Sequence, residues 1–268
     1  MRRREFIAGL GGAAAWPLAA STQQPALPVI GFVSGRSPDD SARAAFRKAL
    51  SDAGYIEGRN VTVEYHWLEG RYDRVPSLMA DLVRRRVAVI ATTTAPATLA
   101  ARAATTTIPI VFSVGEDPVK LGLVASLARP GGNATGFNAF FQEIVAKRLG
   151  LLHELVPKAV RIAVLVNPAN APNAESALRD IAEAAGAIGL QIQVLYAGTG
   201  REIEAAFATL VRERVDALLV APDAFLVSRR VQFTTLAARH AIPAAYPDRE
   251  FVEAGGLMSY GTDLVDSQ

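Results

Sequence analysis

The side chains of this sequence that could do chemistry come in short polar runs, each placed directly after an apolar one. Ser34-Gly35-Arg36 follows VIGFV, Thr92-Thr93-Thr94 follows VAVIA, and Ser113, Glu116 and Asp117 close IPIVFSVGED. Later in the chain Asn167 and Asn170 follow VRIAVLV, Asp223 follows VDALLVAP, and Tyr246 and Asp248 follow HAIPAA. Hydroxyls and amides dominate, joined by a few carboxylates and a phenol. Such groups suit hydrogen bonding to a small polar or zwitterionic molecule. Hydroxyls and free backbone N–H groups near Thr93 and Thr94 fit a carboxylate, and Asp117 or Asp223 fits an ammonium. The candidate ligand-binding residues are therefore Ser34, Thr93, Thr94, Asp117, Asn167, Asp223 and Tyr246. Each has a purely structural use as well. Thr92–Thr94 and Asp117, which precedes Pro118, can cap helices, while Asn167-Pro168 and Tyr246-Pro247 can be turns.

Other chemistries lack their residues. The chain has no cysteine, which removes thiolate zinc sites, cysteine nucleophiles, disulfides and lipidated cysteines. Its three histidines, His66, His153 and His240, are far apart and in no ligand-like spacing, so no metal and no cofactor is expected. There is no G-x-S-x-G elbow and no phosphate-binding P-loop. Glu116 and Asp117 are adjacent, so their side chains diverge and make a poor acid–base pair. The competing reading, an exported two-domain α/β enzyme acting on a small polar substrate, would have to rest on them. The formal net charge of +2 is contributed entirely by Arg2, Arg3, Arg4 and Glu5, which argues against a nucleic-acid partner. Arg84-Arg85-Arg86 sits where a helix should end, and cations there favour the helix dipole.

The polar runs need elements that bring them together. VIGFVS (29–34), VTVEYHW (61–67), VAVIATT (87–93) and IPIVFSV (108–114) read as strands, with amphipathic helices after the first, over 74–85 and near 118–128. This βαβ alternation implies a parallel sheet flanked by helices, in which ligands meet the carboxyl ends of the strands. The same grammar then restarts. VRIAVLVNPAN (160–170) repeats the form of LPVIGFVSGRS (27–37), a helix over 172–188 leads to LQIQVLY (190–196), and a helix near 201–213 leads to VDALLVAPD (215–223). LVRRRVAVI (82–90) and LVRERVDAL (210–218) are identical at five of nine positions, 128 residues apart. The expected fold is α/β: two Rossmann-like lobes with parallel sheets, lobe 1 over 28–137 and lobe 2 over 138–258. ARPGGNATGFNAFFQE (128–143) lies between them, with Gly132, Asn133 and Gly136 as expected hinge positions.

MRRREFIAGLGGAAAWPLAAST opens with arginines, continues with an apolar stretch and ends in small residues, the layout of an export signal. Arg3-Arg4-Glu5-Phe6-Ile7 resembles the twin-arginine motif, and Ala19 with Ser21 fits cleavage near residue 21. Residues 1–21 are thus expected to be an address. With no cysteine to carry a lipid anchor, a free periplasmic protein is expected, acting as a monomer.

Several segments together resemble a bacterial family: GFVSGRS, GYIEGRNVTVEYHWLEGRYDRVPSLMADLV (54–83), IPIVFSVGEDPV, RPGGNATGF, VNPAN and REFVEAGGLMSYG (249–261). The resemblance, over residues 28–266, is to the ABC transporter substrate-binding proteins related to the tryptophan/tyrosine-binding type. It implies a two-lobed binding protein that closes on a small organic solute, amino-acid-like with aromatic ones among the candidates, and hands it to an inner-membrane ABC permease. It supports Ser34, Thr93, Thr94, Asp117, Asn167, Asp223 and Tyr246 as cleft positions. Family members continue past SYG with elements that return to lobe 1, so 259–268 is expected to begin a truncated return segment. Replacing Arg3 and Arg4 together by Lys should strand the precursor in the cytoplasm; unchanged secretion on cell fractionation would refute the twin-arginine assignment.

Overall fold

The computed structural model describes residues 27–38, 40–138 and 141–261 of the chain. The expected export signal lies outside these residues, as do residues 262–268 of the expected return segment. Among the described residues no helix is long and apolar enough to cross a membrane.

In lobe 1 the elements run β1 (Val29–Ser34), α1 (Asp40–Asp52), β2 (Thr62–Trp67), a 3-10 turn (Tyr72–Arg74), α2 (Val75–Arg84), β3 (Val89–Thr92), α3 (Ala95–Ala104), β4 (Ile110–Val114) and β5 (Ala134–Asn138). They form one parallel sheet in the order β2-β1-β3-β4-β5. The apolar run of β1 is explained by burial on both faces. Val33 joins the core made by Met79, Leu82 and Phe112, while Ile30 and Phe32 join Val61 and Val63 on the other side. Helix α2 starts with Pro76 in its first turn and buries Val75, Met79 and Leu82, a four-then-three spacing that puts one stripe on the sheet.

Lobe 2 begins with α4 (Phe141–Leu155) and continues β6 (Arg161–Val166), α5 (Ala171–Ile188), β7 (Gln191–Tyr196), α6 (Gly200–Glu213), β8 (Ala217–Val220), α7 (Ala224–Ser228), α8 (Arg230–Arg239), β9 (Ala244–Tyr246), α9 (Arg249–Glu253) and β10 (Met258–Ser259). Read from its β7 edge, the sheet order β7-β6-β8-β9-β10 is that of lobe 1 strand for strand, again all parallel.

The repeated nonapeptide occupies the same place in both lobes. Arg86 and Arg214, at matching positions, both take left-handed backbone angles, φ 55° and 49°. The next amide closes the helix identically: Val87 N–H donates to Leu82 at 3.2 Å, and Val215 N–H donates to Leu210 at 3.1 Å. Leu82 and Leu210 are fully buried, each contributing on the order of 1.5–3 kcal/mol. The register continues to the strand ends, where Thr93 N–H donates to Val33 and Ala221 N–H donates to Leu165. The repeat is thus a helix stop followed by entry into the central strand of each sheet.

One expectation changes. No helix forms near 118–128: Leu121 N–H and Leu123 N–H close turns onto Asp117 and Pro118, and Gly122 at φ 68° ends them after one turn. Of the expected hinge residues, Gly136 lies within β5, paired with Phe112, and the Asn133 amide donates to the carbonyls of Thr105 and Ile108 at 3.1 and 2.7 Å. Gly132 precedes them in the loop that leads into β5. Because both left-handed arginines are exposed and a β-carbon there costs about 1–2 kcal/mol, offset in part by the entropy of an unfolded glycine, Arg86→Gly and Arg214→Gly should each stabilise by about 0.5–1 kcal/mol. Denaturant unfolding checks this; a gain in one lobe and a loss in the other would break the equivalence.

Candidate functional site

The carboxyl ends of both sheets face one another, and Asp223 stands between them. It precedes α7, and its Oδ1 accepts from the backbone N–H groups of Phe225 at 2.9 Å and Leu226 at 3.3 Å, a standard N-cap. The same oxygen accepts from Asn167 Nδ2 at 2.9 Å; Oδ2 accepts from Asn170 Nδ2 at 2.9 Å and from the Tyr72 hydroxyl at 3.3 Å. All four residues are buried. Asn167 and Asn170 come from the loop after β6, and Tyr72 comes from lobe 1, so this carboxylate ties the two lobes together. Burial first, and then the Asp223 charge, push the Tyr72 hydroxyl well above the ordinary phenol range, so it is held as a donor.

On the lobe 1 side, Thr93 Oγ1 donates to Ser34 Oγ at 3.2 Å, which joins the ends of β3 and β1. Gly35 follows where the lobes come close: a β-carbon there would fall 2.6 Å from Thr94 Cγ2, 3.0 Å from the Tyr72 hydroxyl and 3.1 Å from Ala224 Cβ. Thr94 occupies the N-cap of α3, yet its side chain makes no cap bond, and its buried Oγ1 has no partner. At the end of β4 Glu116 is 5% exposed, and its carboxyl is raised chiefly by burial, with Asn173 of α5 and the amides of Gly115 and Glu116 opposing. Asn170 Oδ1 is likewise buried without a partner.

Beside this polar centre Arg36 of lobe 1 meets a charged cluster of lobe 2. Arg36 Nη2 donates to Asp248 Oδ2 at 2.9 Å and to Glu250 Oε1 at 3.1 Å, while Arg230 Nε lies 3.4 Å from Glu250 Oε2. Behind Asp248, the buried Arg148 donates from Nε to the Tyr260 carbonyl at 2.8 Å, and burial lowers its guanidinium to about 10 against the pull of Asp248. A groove of about 350 Å³ opens beside them, between Glu69, Gly70 and Arg71 of lobe 1 and Thr199, Phe225 and Arg229 of lobe 2.

Of the residues expected from sequence, Ser34, Thr93, Thr94, Asn167 and Asp223 gather at the facing strand ends. Asp117 is beside them but capped inward, its Oδ1 accepting from the N–H groups of Val119 and Lys120 at 2.8 and 3.2 Å. Tyr246 lies in the lobe 2 core, its ring stacked on Phe251 with centroids 4.6 Å apart and its hydroxyl buried without a partner. Sequence reasoning passed over Tyr72, which sits in a turn between strands, and Asn173, which reads as an ordinary first-turn helix residue. Tyr72 follows Gly70-Arg71 with charges on both sides, and nothing local marks it as buried. Among the described residues no cluster of side chains has the makings of a metal site.

Comparison with known proteins agrees with this architecture. The sequence model of the family described as ABC transporter substrate binding protein matches residues 26–267. A tyrosine-binding protein of Clostridioides difficile is 30% identical over 224 residues, 84% of this chain; the chain spans 64% of that relative's length. A conserved domain protein from Vibrio cholerae superposes with a TM-score of 0.80 at 26% identity, covering 89% of this chain and 80% of the other. An ABC domain from Streptococcus pneumonia in complex with L-Trp superposes at 0.77 with 23% identity, over 90% of this chain and 80% of the other, and is similar in fold.

Among the described residues, the Arg36 pairs are the ionic part of the contact between lobes. Their side chains are 26–38% exposed, so each pair contributes no more than about 1 kcal/mol. Arg36→Met should therefore weaken lobe-to-lobe contact by about 1–2 kcal/mol and leave each lobe folded. Small-angle scattering should show a larger radius of gyration with unchanged circular dichroism; an unchanged radius would rule out a role in holding the lobes together.

Proposed function

The chain belongs to the ABC transporter substrate-binding protein family, and from that premise we propose that it captures a small organic solute between its lobes and delivers it to an inner-membrane ABC permease. The observation that carries this reading is the polar centre at the facing strand ends. Asp223, Asn167, Asn170, Glu116 and Tyr72 are all buried there, from both lobes, and hydrogen-bonding capacity is left over at Thr94 Oγ1 and Asn170 Oδ1. Buried polar atoms without partners cost free energy, and a ligand that supplies those partners favours the arrangement with the lobes together. The solute class is amino-acid-like, with aromatic amino acids the leading candidates, because a tyrosine-binding relative and a neighbour in complex with L-Trp share the fold.

The protein works by binding and release, without turnover. Asp117 is engaged in capping its own turn, and Glu116 accepts from Asn173, so the two adjacent acids do not address one reacting atom. In the same reading the twin-arginine-like segment exports it to the periplasm, where it acts as a monomer.

A ligand that binds only the folded protein at a hundredfold excess over its Kd stabilises it by about 2.7 kcal/mol. A thermal-shift screen of the common amino acids and small aromatic acids should show a rise of that size for at least one aromatic amino acid, with calorimetry giving one site per chain and no product on chromatography. Silence across the panel would count against the reading, and product formation would overturn it.

A further inference from the structure

The polar centre holds an unusual charge distribution. Two buried carboxylates, Asp223 and Glu116, share it: the Asp223 charge adds to the burial that raises the Glu116 carboxyl, and both acids hold the Tyr72 hydroxyl up. Among the described residues, none of the ion pairs involves either one. Buried charges are ordinarily paired, so a cation that completes this cluster has to come from elsewhere.

The two acids differ in how fully they are engaged. Asp223 accepts five hydrogen bonds, two from backbone amides, two from asparagines and one from Tyr72, which uses up both oxygens. Glu116 takes fewer, from the Asn173 side chain across the lobes and from the backbone amides of Gly115 and of Glu116 itself. A separate observation points to the same missing group. Asn170, itself 5% exposed, commits its Nδ2 to Asp223 and leaves Oδ1 buried with no donor. An amide oxygen accepts and cannot donate, so its partner must bring an N–H or O–H.

Resting on the solute-binding reading above, we propose that Glu116 receives a cationic nitrogen of the ligand, with Asn170 Oδ1 as a second acceptor. The solutes taken are then amine-bearing, α-amino acids above all, and plain aromatic carboxylates are refused. The partnerless Thr94 Oγ1 at the start of α3 can donate to a ligand carboxylate, which separates the two ends of a zwitterion between Thr94 and Glu116. Asp223, which the sequence had suggested for the ammonium, instead builds the wall that holds Asn170 and Tyr72 in place.

The test is titration calorimetry of the wild type and of Glu116→Gln with three probes: L-tyrosine, its desamino analogue 3-(4-hydroxyphenyl)propanoate, and tyramine. The wild type should bind L-tyrosine at least tenfold more tightly than the desamino acid. Glu116→Gln should bind L-tyrosine at least tenfold more weakly and the desamino acid as before, which erases the discrimination. Ligand-free Glu116→Gln should unfold at or above the wild-type temperature, because it removes a buried unpaired charge; a lower temperature would mean that Glu116 serves the fold. Equal wild-type affinity for L-tyrosine and the desamino acid, or full L-tyrosine affinity in Glu116→Gln, overturns the inference and leaves solute binding intact. If none of the three binds the wild type, the aromatic amino-acid reading itself falls.

Discussion

A carboxylate buried without a cation needs almost all of its hydrogen-bonding capacity met, and Asp223 meets it from three directions at once. The amides of α7 supply two donors, the asparagines after β6 supply two more, and Tyr72 supplies the last from the other lobe. Each donor is thereby fixed in place. Asn170 cannot turn its Nδ2 elsewhere without exposing the acid, so its Oδ1 is aimed by default. Tyr72 cannot lose its proton, because burial and the neighbouring charge both oppose it. The cleft is rigid where it is polar because one charge imposes order on everything that touches it.

The doubled architecture explains where that charge stands. The register of β3 and β8 against β1 and β6 is the same in both lobes, so the helix starts that follow them, at Thr94 and at Asp223, come to face each other. Lobe 2 closes its helix start with a carboxylate that accepts two amides. Lobe 1 places a threonine at the equivalent end and leaves its hydroxyl unused. A symmetric frame with unequal caps gives one acidic side and one side rich in donors, a polarity that a zwitterion can match.

Much of this was legible in the sequence because it follows from periodicity. Continuous apolar runs such as VIGFVS and RIAVLV demanded sheets covered on both faces, and LVRRRV with LVRERV showed the doubling. The polar runs at strand ends named five of the gathered residues for the same reason. What the sequence could not show was which neighbours claim which atoms. Asp117 and Asp223 are both acids ahead of a turn, and only the folded chain shows both engaged in capping while Glu116 faces across the lobes. Tyr246 drew notice because it ends an apolar run, and the folded chain shows its ring stacked on Phe251 in the lobe 2 core with the hydroxyl buried and unpartnered. The segment 118–128 had helical composition, but a single left-handed glycine outweighed it.

The ion pairs beside the cleft answer to salt differently from its buried centre. Arg36, Asp248, Glu250 and Arg230 are partly exposed, whereas the Asp223 cluster is buried. Dissolved salt screens the first group strongly and the second hardly at all, since the Debye length shrinks from about 30 Å at 0.01 M to about 8 Å at 0.15 M. Low salt therefore tightens the contact between the lobes and high salt loosens it, while the buried centre keeps its order at either extreme.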